Sequence, residues 1–267
     1  MEIYVFTDQL GRRVVLNRRP VRRIVSVVPS QTELLYDLEL GEAVVGITKF
    51  CIHPQAWFNS LPRVGGTKTL QLGKIATLNP DVIIANKEEN TQEQIEALAA
   101  RYPVWISDVF DLPSALDMIR RVGELFGKTE EAQALANEID LAFAMNRPDE
   151  RWLTRRAAYL IWRKPYMAAA GGTFIDDMLG RAGFENVYAG QQRYPELHLQ
   201  DLAAQKPEVV LLSSEPYPFA EKHIREIKEF VPNAQILLVD GEMFSWYGSR
   251  LRLSPHYFGK IREKMSV

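Results

Sequence analysis

The sequence predicts an α/β protein of two lobes joined by a long helix, and three observations predict it. Short apolar runs suited to strands buried on both faces alternate with amphipathic helical stretches. One segment, Ile75-Ala-Thr-Leu-Asn-Pro-Asp-Val-Ile-Ile-Ala85, is mirrored 127 positions later by Leu202-Ala-Ala-Gln-Lys-Pro-Glu-Val-Val-Leu-Leu212, as a doubled half would be. Between the copies, Thr129 to Met145 places Ala132, Leu135, Ala136, Ile139 and Phe143 at spacings of three and four. Such a helix is about 25 Å long, enough to link two lobes.

Taken in order, Ile3-Tyr4-Val5-Phe6 and Arg13-Val14-Val15-Leu16 flank Asp8-Gln9-Leu10-Gly11, the pattern of a β-hairpin. The start shows no positive segment, unbroken apolar core or small-residue cleavage site, so the expectation is either a sequence trimmed at its start or a protein that works in the cytoplasm. Ile24 to Val28 is a buried strand stopped by Pro29. Ser30 with Glu33 three residues on reads as a capping box for the next helix, and Gly41 closes that helix. Leu34, Leu35 and Leu38 share its inner face. Val44–Ile47, Val82–Ala85 and Val104–Ile106 are further strands, with a helix from Thr91 to Arg101. After Pro113, Ser114 caps a helix bearing Leu116, Ile119 and Val122, and Pro148 stops the long one. A second lobe opens at Ala157-Ala158-Tyr159-Leu160-Ile161-Trp162. Gly172-Thr173 with Asp176 is again a capped helix start, and Ile236–Val239 is a late strand. The domains expected are an N-terminal α/β lobe at 1–112, linking helices at 113–150 and a C-terminal α/β lobe at 151–267.

Bulk properties narrow the partners. A formal charge of -2, from 32 basic and 34 acidic residues, gives no footprint for nucleic acid, and no apolar stretch marks a membrane-spanning chain. The single cysteine, Cys51, excludes an internal disulfide. No GxSxG elbow, HExxH helix, CxxC pair or GxxxxGK[ST] loop occurs, so an enzyme is not expected. Gly171-Gly172-Thr173 is read as an approach to a capped helix in preference to an anion site. His53, His198, His223 and His256 lack the spacing of a helical metal site, no resident metal is expected, and His223 and His256 are taken as solvated. Phe50, Trp57, Trp162, Tyr194, Phe244, Trp246 and Tyr247 fall outside the apolar periodicity and near strand ends, where flat side chains can cover a large apolar ligand. Lys68, Arg163 and Arg250 lie nearby in sequence and suit carboxylate, phosphate or catecholate groups.

Several motifs in order also carry a family likeness. Val-Ser-Val-Val-Pro-Ser-Gln-Thr-Glu-Leu-Leu from Val25, Val-Val-Gly-Ile-Thr at Val44 to Thr48, the Arg63-Val64-Gly65 turn and Asn-Pro-Asp-Val-Ile-Ile at Asn79 to Ile84 resemble the first lobe of the class III, helical-backbone substrate-binding proteins of ABC importers. The resemblance runs from about Arg22 to near the C-terminus. It implies two Rossmann-like lobes joined by a long backbone helix, a ligand cleft between them, and small closure on binding. It implies a cobalamin-like or iron-siderophore-like ligand, with a haem or metal-ion receptor of the same fold, or a cytoplasmic enzyme acting on a corrinoid or tetrapyrrole, as alternatives. No cofactor is required; a corrinoid, ferric siderophore or haem is cargo. Phe50, Trp162 and Tyr194 match positions where cobalamin receptors set an aromatic ring against the corrin, while His53 and His198 fall in pocket loops of opposite lobes. Glu33 matches the acid that pairs with an arginine of the membrane permease; in the second lobe that position is Gln200, with Asp201 beside it. The family is periplasmic, unlike the compartment expected of the chain as written, and a monomer is expected.

Overall fold

The computed structural model describes residues 3–149 and 152–265. Met1 and Glu2, and the 150/151 boundary expected for the second lobe, lie outside the described residues. By backbone contact the chain forms two compact units: one of Met1–Val109, Pro113–Asp140 and Tyr247–Arg250, the other of Phe110–Leu112, Leu141–Trp246 and Leu251–Val267.

In unit 1, β1 (Tyr4–Thr7) and β2 (Arg13–Leu16) form an antiparallel hairpin. Its turn is held by Asp8, whose carboxylate accepts from the Leu10 and Arg12 amides and pairs with the Arg12 guanidinium at 2.8 Å. Four parallel strands follow: β3 (Ile24–Ser26), β4 (Val44–Ile47), β7 (Val82–Asn86) and β8 (Val104–Ser107), in the order β4-β3-β7-β8. β5 (Gly65–Gly66) and β6 (Thr69–Leu70) make a small separate ribbon. The helices are α1 (Pro29–Asp37), α2 (Gln55–Ser60), α3 (Leu72–Thr77) and α4 (Gln92–Ala99), with all but the first residue of α5 (Leu112–Phe126) and the part of α6 (Thr129–Met145) up to Asp140. Val25, Val27, Ile83, Ala85 and Ile106 from the sheet meet Ile75, Ile95 and Leu98 from α3 and α4 in one core, the arrangement required when both faces of a parallel sheet are apolar.

In unit 2, β9 (Arg155–Trp162) is the central strand. It pairs in parallel with β11 (Phe184–Asn186) near its start and with β13 (Val209–Ser213), and β13 pairs with β14 (Gln235–Val239). β10 (Tyr166–Ala168) and β12 (Glu196–Leu197) extend the sheet antiparallel, giving the order β12-β10-β9-β13-β14. Helices α7 (Phe174–Ala182), α8 (Leu199–Ala204), α9 (Glu221–Lys228), α10 (Glu242–Ser245) and α11 (Ser254–Met265) complete it. Thr173 caps α7 by accepting from the Asp176 amide, and Gly183, at φ 93°, ends that helix in the left-handed region.

Three expected helix ends are corrected. α1 starts at Pro29, one residue before Ser30, so no capping box forms: Val28 is the N-cap and Glu33 turns elsewhere. α1 stops at Asp37, with Glu39 at φ 58° taking the left-handed position assigned to Gly41. α5 begins at Leu112, whose amide is satisfied by the Asp177 carboxylate at 2.8 Å, and Ser114 lies inside the helix.

Candidate functional site

Parallel sheets expose ligand-facing loops at the carboxyl ends of their strands. In unit 1 this rim follows Ser26, Ile47, Asn86 and Ser107. It is built from small polar groups: Thr32 Oγ1 bonds Ser26 Oγ at 2.8 Å and Cys51 Sγ at 3.1 Å, and Thr48 Oγ1 meets the same sulfur at 3.1 Å. Burial pushes the Cys51 thiol above its ordinary pKa, so it stays neutral and serves as packing. Asn86 donates to Ser107 Oγ at 2.9 Å and accepts from the Glu88 and Glu89 amides, fixing the turn after β7. Above this layer Phe50 is half exposed, with Lys49 Nζ 4.9 Å from its ring centre and Gly66 so close that a Cβ there would touch the ring. Phe110, just after β8 in sequence and counted with unit 2, is a further exposed ring that the sequence reading missed.

The rim of unit 2 is aromatic. Trp162, at the end of β9, is 39% exposed and meets Tyr217 edge-on at 5.8 Å. Tyr217 packs on Phe219 at 4.9 Å, and Phe219 stacks with Tyr166 at 6.4 Å. Beside them Arg163 pairs with Glu226 at 2.8 Å, while the Tyr166 hydroxyl donates to the other carboxylate oxygen at 2.9 Å. Burial pushes Glu226 up, but the Arg163 and Tyr166 hydrogen bonds outweigh it and hold the carboxyl below its usual range. Burial and that carboxylate raise Tyr166 to about 12. Tyr166, Tyr217, Phe219 and Glu226 were all missed in the sequence reading.

The remaining sequence candidates separate into rim, capping and core. Lys68 is exposed and donates to the Glu88 carbonyl. His53 and Tyr194 are partly buried. His198 and Gln200 are exposed, and Asp201 accepts from the His198 amide at 3.0 Å at the start of α8. Five candidates are corrected. Trp57 is 8% exposed and packs edge-on against Tyr36 at 5.3 Å. Phe244 is fully buried between Tyr159, 5.0 Å away, and Phe258, 4.7 Å away. Trp246 is buried and donates from Nε1 to Glu215 at 2.9 Å, a carboxyl whose pKa burial raises. Tyr247 is buried with its hydroxyl on Glu89 at 2.7 Å. Arg250 clamps Glu33 with two hydrogen bonds, at 2.6 and 2.8 Å, so neither charge stands free as expected. Gly248 lies between these two contacts, where any Cβ would collide with the Ser30 carbonyl. His223 is corrected as well: it is 2% exposed, whereas the sequence reading took it as solvated. His256 is exposed as expected.

Among the described residues no three His, Cys, Asp or Glu side chains form a metal site. The arrangement offers surfaces. The profile of the periplasmic binding protein family matches residues 24–235. The chain belongs to that family. It is a binding protein, and the curated relatives are named as such. A vitamin B12-binding protein from Photorhabdus laumondii is 25% identical over 239 residues, spanning 87% of this chain and 84% of its own length. Among solved structures, the periplasmic haem-binding protein RhuT from Roseiflexus sp. RS-1 superimposes with TM-score 0.79 at 22% identity, covering 91% of this chain and 97% of that one. The periplasmic vitamin B12-binding protein BtuF of Vibrio cholerae gives 0.74 at 22% identity, covering 92% and 99%. At that identity the structures establish the fold: this is the class III periplasmic binding fold, mixed α/β with parallel sheets. Among the described residues no helix is long and apolar enough to cross a membrane.

Proposed function

We propose that the chain is the solute-binding component of an ABC importer, carrying a cobalamin-like or iron-siderophore-like molecule, with lobes at 1–112 and 151–267 and linking helices at 113–150. The observation that supports it most is the aromatic rim of unit 2: a large indole, 39% exposed at a strand's carboxyl end, propped by the Tyr217 ring. An exposed ring of this size at a position where ligands bind is a low-entropy contact for a flat or bulky guest. Phe50 supplies a second such ring in unit 1. Lys68 and His53 in unit 1, and Arg163, Tyr194 and His198 in unit 2, are the further binding residues proposed. The relatives named for vitamin B12 support the corrinoid reading, and the haem-binding neighbours make haem the competing cargo. The work proposed is periplasmic, as in the family. Asp201 and Gln200 are proposed to face the permease; Glu33 joins them only by exchanging its Arg250 partner for an arginine of the permease.

The test is a titration followed by tryptophan fluorescence and calorimetry, with cyanocobalamin, a ferric hydroxamate siderophore and hemin as separate probes. Binding of one of the first two with quenching, weakened about 10-fold or more by Trp162→Ala, is the expected result. Saturable binding of hemin alone would replace corrinoid and siderophore by tetrapyrrole, and no binding by any probe ends the reading.

A further inference from the structure

His223 is a histidine whose tautomer the fold dictates. It lies in the first turn of α9, and its Nδ1 accepts the Ala220 amide at 2.8 Å, as the acid of a capping box would. A nitrogen that accepts carries no proton. The neutral ring therefore bears its hydrogen on Nε2, and Nε2 lies 3.2 Å from the Tyr217 hydroxyl. The hydroxyl must accept from the imidazole at that contact, because the opposite polarity needs a proton on Nδ1 pointed into the Ala220 N–H. The phenol's own hydrogen is thereby left to donate elsewhere. No other partner of that hydroxyl occurs among the described residues. The ring that carries it is half-buried, packed edge-on to Trp162 on the rim.

We propose that Tyr217 is a specificity residue for the cargo, donating a hydrogen bond to a carbonyl or carboxylate oxygen of a ligand lying on Trp162, and that His223 is the positioning residue that fixes the direction of that donor. The inference rests on the solute-binding role proposed above. It goes further by naming the chemistry recognised: an acceptor oxygen at the margin of a flat guest, such as an amide arm or an acid side chain. A ligand with a donor at this place meets an unfavourable hydroxyl and is selected against.

Burial lowers the pKa of His223, and the nearby Arg163 and Lys222 charges act in the same direction, while Glu226 and the Ala220 contact oppose them. The ring is thus neutral at pH 7. Acid that forces a second proton onto Nδ1 breaks the Ala220 contact that holds the ring; the Nε2 hydrogen stays, and Tyr217 is disturbed through the movement of the imidazole.

The experiment has two arms. In the first, nitrogen NMR of the free protein at neutral pH reads the His223 tautomer; hydrogen on Nε2 is expected, and hydrogen on Nδ1 overturns the assignment with no ligand needed. In the second, cyanocobalamin, a ferric hydroxamate siderophore and hemin are titrated into the wild type, Tyr217→Phe, His223→Gln and His223→Leu. Loss of one neutral hydrogen bond predicts roughly 3- to 10-fold weaker binding for Tyr217→Phe, with the fold intact. His223→Leu should match that loss, and His223→Gln, which keeps a donor and an acceptor, should recover part of it. The wild type should weaken more than Tyr217→Phe as pH falls below the ordinary histidine range. Unchanged affinity in Tyr217→Phe, with a probe the wild type binds, overturns the donor role while leaving the solute-binding role standing. Absence of binding to the wild type removes that role and the recognition step together, whatever the tautomer.

Discussion

In unit 1, α3 stops at Thr77 and the chain passes through Asn79 at φ 42° into Pro80 and β7; in unit 2, α8 stops at Ala204 and passes through Lys206 at φ 50° into Pro207 and β13. The Asn79 amide donates to the Ala76 carbonyl at 3.1 Å, and the Lys206 amide to that of Ala203 at 3.0 Å. The acid after each proline then ties down the neighbouring strand: Asp81 accepts from the Arg23 amide at 3.0 Å, Glu208 from the Arg156 amide at 2.9 Å. This joint is the same twice over. At the other end of the same strands the likeness stops, with hydroxyls and a buried thiol in unit 1 and stacked aromatics in unit 2. The geometry that ends a helix and starts a buried strand admits few solutions, whereas a rim that meets a guest is free to follow it.

The largest expected effects separate the two units. Phe244→Ala empties a fully buried aromatic site of unit 2, between Tyr159 and Phe258, and should cost about 3–5 kcal/mol. Cys51→Ala, at the rim of unit 1, removes one small group and two weak hydroxyl contacts, and should cost about 1–2 kcal/mol. Urea unfolding monitored separately by tryptophans of each unit, Trp57 and Trp105 against Trp162 and Trp246, reads both. Equal losses would mean that the small polar cluster around Cys51 is packed as tightly as the aromatic core around Phe244.

The next effect tests the shared joint. Asp81→Ala and Glu208→Ala each remove a charge-assisted bond to a strand amide. Asp81 also accepts from the Arg22 amide at 3.0 Å and is largely sheltered, so about 1.5–2 kcal/mol is expected there and about 1 kcal/mol at the exposed Glu208. If only one substitution destabilises, measured by the same unfolding, the two joints are alike in outline alone.

Periodicity made much of this legible. β4 runs from Val44 to Ile47 and α6 from Thr129 to Met145, as their apolar spacing predicts, because in both a continuous core face decides the structure. The doubled joint was legible as well, since Pro followed by an acid and a buried run leaves a literal trace. Local rules failed where a neighbour outweighed them: Pro29 drew the start of α1 one residue forward and turned Ser30 from a cap into an interior residue. Aromatics outside the periodicity were read as rim, yet Phe244 and Trp246 lie in or just after a single turn of helix, too short to have a period, and are core. The clamp between Arg250 and Glu33 joins residues 217 positions apart and has no local signal. Tyr217, Phe219 and His223 did leave one, aromatics alternating with Pro216 and Pro218 ahead of a helix whose third residue is able to accept the capping amide.

The smallest effect is also the sharpest test of the joint. Each left-handed residue carries a Cβ that crowds its own backbone, at a cost of roughly 1–2 kcal/mol for most side chains and less for asparagine, whose short amide tolerates the region. Glycine removes that cost and loses about 0.4–1 kcal/mol to the greater freedom of the unfolded chain. For Lys206→Gly the balance favours the folded state by about 0.5–1 kcal/mol, and the carbonyl that accepts from Arg156 is kept. For Asn79→Gly the two contributions nearly cancel, giving a change within about 0.5 kcal/mol of zero. A gain at Lys206 with none at Asn79 means that the second joint kept the fold of the first while accepting a side chain poorly suited to it. A loss at Lys206 shows that its side chain holds the turn, and the two joints are then stabilised by different means.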